Sequence, residues 1–403
     1  MSILNPSGEG RNCKGGFLES YLFWTNPQES PEDYHLWNAV SIIGTALGRK
    51  CYVDRGFYKL YPNFYIVLVG DSALTHKSTC INMGTDVMLE AIEKKICMCS
   101  DTVTRAGLVE DLSERYQSVG ISDIHIANSE FIELLGDTSR DKEFIPFLTA
   151  LHDCKSRCSN KTIGRGKEVI HNCFGNLISG STESWFRDAL GEQHISGGFF
   201  SRLVPVPRSP SGKKNAHPHR TYTQEIKNAR EDCVHDLQKI AELDGEFEWT
   251  PDAEDLYEAW YTDPDIAPET KPKDLWGYYG RKRDMVIKLA MIISSSFDDS
   301  QTIKESDLEY AMAILSGNER YMNTILRYLE TTAEGAVTEK VRLYIKKHGR
   351  IQRKKVLQNL SHSGISAEVL DSVINTIGSG TGSREVREIN TKQGVIYEWA
   401  GEQ

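Results

Sequence analysis

The chain has 403 residues, 39% of them hydrophobic and 26% charged, proportions that exclude a disordered chain and allow two or three domains around sizeable cores. A formal net charge of −10 excludes a general electrostatic DNA binder and leaves any nucleic-acid contact to local basic patches. No apolar run approaches a bilayer span and residues 1–15 lack the apolar centre of a signal peptide, so the expectation is a cytoplasmic protein with no membrane partner.

Residues 1–15 are rich in Gly, Ser and Asn and read as a loose lead-in. Two helices follow, near 17–25 and 33–47, the second with Trp37, Val40, Ile43 and Leu47 on one face. Alternation from 50 to 62 (Cys51, Val53, Phe57, Lys59, Tyr61) around Arg55-Gly56 predicts a hairpin. The apolar run Tyr65-Ile66-Val67-Leu68-Val69 then empties into Gly70-Asp71-Ser72-Ala73-Leu74-Thr75-His76-Lys77-Ser78-Thr79, and a helical pattern follows (Ile81, Met83, Val87, Met88). Strand, small-residue loop and helix in that order make a phosphate-binding loop, in which backbone N–H groups and a helix N-terminus cradle a triphosphate. Lys77 would reach the terminal phosphates and the Ser78 hydroxyl would ligate magnesium. The loop is one residue longer than the usual spacing and His76 stands where the second glycine belongs. An ordinary strand–turn–helix whose Lys-Ser opens the helix is therefore the competing reading.

Beyond the loop the pattern gives a helix to about 95, an apolar run at 96–99 and a helix near 104–117. A core strand at 121–127 ends in Asn128-Ser129-Glu130-Phe131, and a helix covers 144–154. A basic segment, 155–167, precedes a strand at 174–182 that closes on Ser181-Thr182, and Gly197-Gly198-Phe199-Phe200-Ser201-Arg202 leads into a strand at 203–206. Short apolar strands alternating with helices predict an α/β sandwich with a largely parallel sheet. A Pro/Lys/His-rich linker at 209–220 opens a region, 221–330, that reads as helical throughout. The nine cysteines are scattered; Cys97, Cys99, Cys154 and Cys158 match no common zinc spacing and read as structural.

After Thr331 the composition shifts. Helices near 337–348, 353–361 and 366–377 precede strands at 385–390 and 395–399, the layout of a winged helix. Its third helix carries Glu368 and Asp371 and no Lys or Arg, which disfavours base reading. Arg384, Arg387, Lys392 and the stretch 350–355 are left as phosphate-contact candidates, with a protein-contact role equally open. The expected divisions are an N-terminal helical segment (1–49), an ATPase core (50–212), a helical lid (213–330) and the small module (331–403).

Gly70-Asp71 with Lys77-Ser78, then Ser129-Glu130-Phe131, then Ser201-Arg202-Leu203, resemble the motif series of the minichromosome-maintenance replicative helicases and their AAA+ relatives. Arg281-Lys282-Arg283-Asp284-Met285-Val286-Ile287-Lys288-Leu289-Ala290 resembles their lid helix with its sensing arginine, and Ile303 with Asp307-Leu308-Glu309-Tyr310-Ala311 resembles the closing lid helix. Most of 30–320 also resembles a group of phage and prophage ATPases. The resemblance implies an AAA+-like P-loop core with a helical lid, working as a ring, a hexamer, that hydrolyses ATP with Mg2+. It implies phosphate contacts from Gly70, Ser72, His76, Lys77, Ser78 and Thr79, water activation by Glu130, and γ-phosphate sensing by Ser181 or Thr182. Arg202 would act on a neighbouring subunit's nucleotide and Arg281 would sense nucleotide from the lid. A hairpin carrying Lys161, Arg165 and Lys167, turning at Gly164, would grip single-stranded DNA in the ring channel. The implied task is ATP-driven translocation or unwinding during replication of a phage or mobile element. Ser129 departs from the series, standing where an acid usually precedes the catalytic glutamate. Three alternatives stay open: a nucleotide-switched assembly protein that unwinds nothing, a winged-helix regulator with an ATP-sensing domain, and purely structural roles for Glu130 (helix first-turn acid), Arg202 (surface ion pair) and Arg281 (snorkelling side chain).

Overall fold

A computed structural model describes residues 10–99, 104–135, 143–162, 166–186, 198–271, 275–322, 333–360, 365–379, 385–391 and 394–400. The chain divides into two compact units, Met1–Ile325 and Leu326–Gln403.

The first unit is an α/β assembly. Helices α1 (Phe17–Thr25) and α2 (Glu32–Leu47) precede a hairpin of β1 (Cys51–Asp54) and β2 (Lys59–Leu60), with Val53 opposite Leu60 as the alternation requires. Next come β3 (Tyr65–Val69), α3 (Lys77–Ile92), β4 (Met98–Cys99), α4 (Arg105–Val119), β5 (Ser122–Asn128), α5 (Phe131–Leu135) and α6 (Phe144–His152). A second hairpin, β6 (Arg157–Thr162) and β7 (Gly166–His171), precedes β8 (Cys173–Ser181) and β9 (Leu203–Pro207). Five of these strands form one parallel sheet in the order β4-β5-β8-β3-β9. Every residue of β3, β8 and β9 is buried, which is why they read as continuous apolar or small-residue runs.

Strand β8 lies between β3 and β5, the strand that leads to Glu130. Glycine makes that central position fit. A Cβ on Gly180 would stand 2.5 Å from the Ser129 carbonyl oxygen, and one on Gly175 would stand 2.8 Å from the Leu151 Cβ. Bulkier residues would push β5 and α6 off the sheet.

The N-terminal helices brace this sheet. Asn176, buried on β8, donates to the Ser41 carbonyl and the Thr45 hydroxyl of α2 (both 2.7 Å) and accepts the Phe64 N–H at 2.9 Å. From α2, Asn38 reaches the Cys80 carbonyl of α3.

The region after the linker is not helical throughout. Between α7 (Gln224–Ile240), α8 (Pro251–Thr262), α9 (Trp276–Phe297) and α10 (Glu305–Glu319) lie three two-residue strands. Of these, β10 (Gly245–Glu246) pairs with β1, while β11 (Glu248–Trp249) pairs with β12 (Thr302–Ile303). Strands this short carry no period for a sequence pattern to show. Helix α9 is buried along Met285–Ser296, and its Lys288 donates to the Asn63 carbonyl (3.2 Å) and side-chain oxygen (2.8 Å) just ahead of β3.

Seven of the nine cysteines are buried, and Cys97 and Cys99 are half-buried. Among the described residues no helix is long and apolar enough to cross a membrane.

The second unit runs α11 (Ala333–His348), β13 (Arg350–Gln352), α12 (Arg353–Leu360), α13 (Ala367–Ser379), β14 (Val386–Thr391) and β15 (Gly394–Trp399). Its antiparallel sheet has the order β13-β15-β14 around its own core, with Val341, Ile345, Val356, Leu370 and Tyr397 buried. The extra strand β13 escaped the sequence reading because only Ile351 marks it, between two exposed polar residues.

Candidate nucleotide site

Parallel strands aim their carboxyl ends at one edge of a sheet, and ligands gather there. At that edge β3 runs into the 70–76 loop and then α3. Gly70 is required by close approach: a Cβ would stand 2.5 Å from the Tyr34 hydroxyl and 2.8 Å from the Arg208 carbonyl oxygen. Tyr34 donates to the Val69 carbonyl at 2.6 Å and so fixes the strand's exit. Ala73 (φ 61°) and His76 (φ 49°, ψ 36°) hold left-handed backbone without being glycine, strain of a kind that concentrates at functional loops. His76 thus adopts the backbone that a glycine would adopt at low cost. Its imidazole lies 3.3 Å from the Glu29 carboxylate.

Lys77 is buried, and its Nζ donates to the carbonyls of Gly70 (2.8 Å) and Asp71 (3.1 Å) and to the Thr75 hydroxyl (3.2 Å). Three oxygens around one ammonium are a stand-in for phosphate oxygens. Ser72, Ser78 and Thr79 are exposed. No side chain caps α3 and no acid occupies its first turn, so the first N–H groups stay open to an anion.

Glu130 follows β5, its N–H bonded to the Asn128 side chain at 2.6 Å. A Cβ on Gly180 would touch both the Ser129 carbonyl and the Lys77 Cβ (3.5 Å), so the ends of β5 and β8 and the start of α3 converge. Burial raises the Glu130 carboxyl above its ordinary pKa, opposed by the nearby Lys77 charge. Burial lowers the Lys77 ammonium, opposed by Glu130 and Asp71. Each group thus feels the other's charge. Ser181 is buried and its hydroxyl turns to the Thr182 carbonyl (3.1 Å), whereas Thr182 is half-exposed and its hydroxyl lies 3.2 Å from that of Ser184. Thr182 is thus the strand-end hydroxyl with access to the edge.

Arg202 and Arg281 are not brought to this edge of their own chain. Arg202 precedes Leu203, which pairs with Tyr65 at the opposite end of β3; five residues of strand separate it from Gly70, about 16 Å. There Arg202 forms a bidentate pair with Asp153 (Nε 2.7 Å, Nη2 2.6 Å) and donates to the Gly198 carbonyl at 2.7 Å. Arg281 donates to the Ser201 hydroxyl at 3.0 Å and lies 4.0 Å from Asp153. Helix α9, which carries Arg281, meets the amino end of the sheet, where its Lys288 bonds Asn63. Burial would raise the Asp153 carboxyl, but hydrogen bonds from His152 and Arg202 outweigh it and hold it well below the usual carboxylate range. Burial also lowers His152 to about 3, so the imidazole beside Asp153 is neutral. A cavity of about 190 Å³ opens beside this cluster, lined by Tyr58, Asp153, Arg281, Asp284 and Lys288.

In the β6–β7 hairpin Lys161 is directly opposite Lys167; Arg165 and Gly164 lie outside the described residues. Tyr34, Arg208 and Asp153 escaped the sequence reading. Each acts on residues far along the chain, and no local motif marks them.

The residues at the carboxyl edge fit a triphosphate: an ammonium in an oxygen cradle, an uncapped helix N-terminus and exposed hydroxyls. Ser78 would hold magnesium; among the described residues no group of three or more His, Cys, Asp or Glu is placed to hold a metal, and Mg2+ commonly takes only one or two protein ligands beside phosphates and water. The sequence matches no protein-family model and no curated protein, and the functional reading therefore rests on this geometry.

Proposed function

We propose that the chain is an ATP-hydrolysing P-loop protein of AAA+-like type whose turnover drives translocation on, or unwinding of, DNA. The observation that carries this is the convergence of Lys77 and Glu130 beside the uncapped start of α3, at the carboxyl edge of a parallel sheet.

In this reading ATP binds against the α3 N-terminus and Lys77 exchanges its carbonyl partners for β- and γ-phosphate oxygens. Mg2+, held through Ser78, supplies charge neutralisation between those phosphates. Glu130 accepts a proton from the attacking water; a carboxylate raised by burial is a stronger base than an exposed one. Thr182 orients the terminal phosphate. Arg202, far from its own loop, acts on a second copy's nucleotide, so a ring, taken here as a hexamer, is the working form. Arginines supplied in this way are worth about 10³–10⁵ in rate. The hairpin of Lys161, Arg165 and Lys167 tracks single-stranded DNA phosphates, and the 326–403 unit has the element order of a winged helix.

The test is ATP binding and hydrolysis with and without single-stranded DNA, for the native chain, Lys77→Ala and Glu130→Gln. Native turnover should rise with DNA, Lys77→Ala should bind ATP at least about tenfold more weakly, and Glu130→Gln should bind without hydrolysing. Equal ATP binding by native and Lys77→Ala protein would sink the reading. A nucleotide-switched assembly protein is the second reading, favoured by Lys77 being folded onto its own loop and Arg202 being already paired. ATP binding with no turnover under either condition would select it.

A further inference from the structure

The second unit carries twelve Lys and Arg against nine Asp and Glu, in a chain whose net charge is −10. Its cations are concentrated where α11 turns through β13 into α12. Lys346, Lys347, His348, Arg350, Lys354 and Lys355 are all exposed there. Among the described residues, no carboxylate lies within ion-pair distance of Lys346, Lys347, Lys354 or Lys355. Arg350 is only 4.0 Å from Glu398, and Arg353 is already engaged by Asp371 at 2.8 Å.

Local stability explains half of this cluster. Cations in the last turn of α11 favour the helix dipole, whereas Arg353, Lys354 and Lys355 occupy the first turn of α12, where the dipole opposes them. Asp371 relieves Arg353, and nothing comparable relieves the two lysines. The third helix, α13, shows the opposite face: Glu368 and Asp371 are exposed and the helix has no cation. In 346–355 the single apolar side chain, Ile351, is buried, so the strip lacks the apolar centre that a protein interface uses. Beside it, Trp399 has the Lys346 ammonium and the Arg342 guanidinium each 5.5 Å from its ring. Cations drawn from three consecutive elements make a strip rather than a point, which suits a polymer of phosphates.

We propose that the α11–β13–α12 corner of the second unit is a docking surface for the phosphate backbone of duplex DNA, bound without regard to sequence and with α13 turned away from the bases. This surface belongs to the second unit, and the proposal does not rest on ATP hydrolysis.

The experiment uses the full chain and two fluorescent DNA duplexes of unrelated sequence, titrated over a series of salt concentrations. Native protein should bind both alike, with affinity falling steeply as salt rises. Lys354→Ala/Lys355→Ala should weaken both about tenfold at low salt and flatten the log–log salt slope by about 1.8, two lost phosphate contacts at about 0.9 each. Both side chains are exposed, and an unchanged melting temperature will show that the double variant is folded. Unchanged affinity and slope in that variant, or strong preference for one duplex, overturns the proposal. All titrations are run without nucleotide, so failure here and failure of the nucleotide reading are told apart.

Discussion

The positions of Lys77 and Glu130 were legible in the sequence, Lys77 closing the loop that follows β3 and Glu130 lying two residues past β5. Arg202 was legible as a special residue, but not its partner. Asp153 is the residue that ends α6, with no motif around it, and only the fold brings it to the arginine. Its consequence is specific. The folded pKa of Asp153 is depressed, so its contribution to stability is present above its unfolded value and is lost as pH falls toward the lower folded one. Asp153→Asn should cost about 1–2 kcal/mol near neutral pH, a figure kept modest because the carboxylate is partly exposed. The difference in melting temperature between native and variant should hold above about pH 5 and narrow below about pH 4. A difference that persists undiminished at low pH would show that packing, not the charge pair, was lost.

Most helices and strands β3, β5, β8 and β9 were visible as periods and runs, but strand order was not. The order is decided by contacts such as Gly180 against Ser129, between residues whose sequence separation hides their adjacency. The same holds for Asn176, an amide inside an apolar run whose meaning emerges only when α2 and Phe64 close around it. Each of its polar atoms is used. Asn176→Leu keeps the branched side-chain shape and strands the buried Phe64 N–H, at a cost of about 1–3 kcal/mol. Thermal unfolding should show the loss directly. A variant as stable as the native protein would mean that this link does not hold α2 to the sheet.

Taken whole, the first unit carries its phosphate loop and its arginine pair at opposite ends of one sheet. On the proposed reading a lone copy would hold both halves of a site and could not join them. Mixing Arg202→Ala with Glu130→Gln should therefore recover part of the ATPase activity that either lacks alone, because some interfaces would then pair an intact loop with an intact arginine. Mixtures no more active than the separate variants would show that Arg202 does not serve a neighbour. The sequence carried no sign of this separation, since it follows from the parallel register of β3 and β9.

The cysteines give the molecule a built-in clock. Burial pushes the Cys51, Cys80 and Cys154 thiols up, away from reactive thiolate, so alkylation must wait for the fold to open. Cys80 sits one turn behind Lys77 and is held through Asn38 to α2, whereas Cys233 lies on α7. The rate at which each thiol is captured thus times the opening of its own neighbourhood. A nucleotide that tightens the loop would slow the clock at Cys80 first.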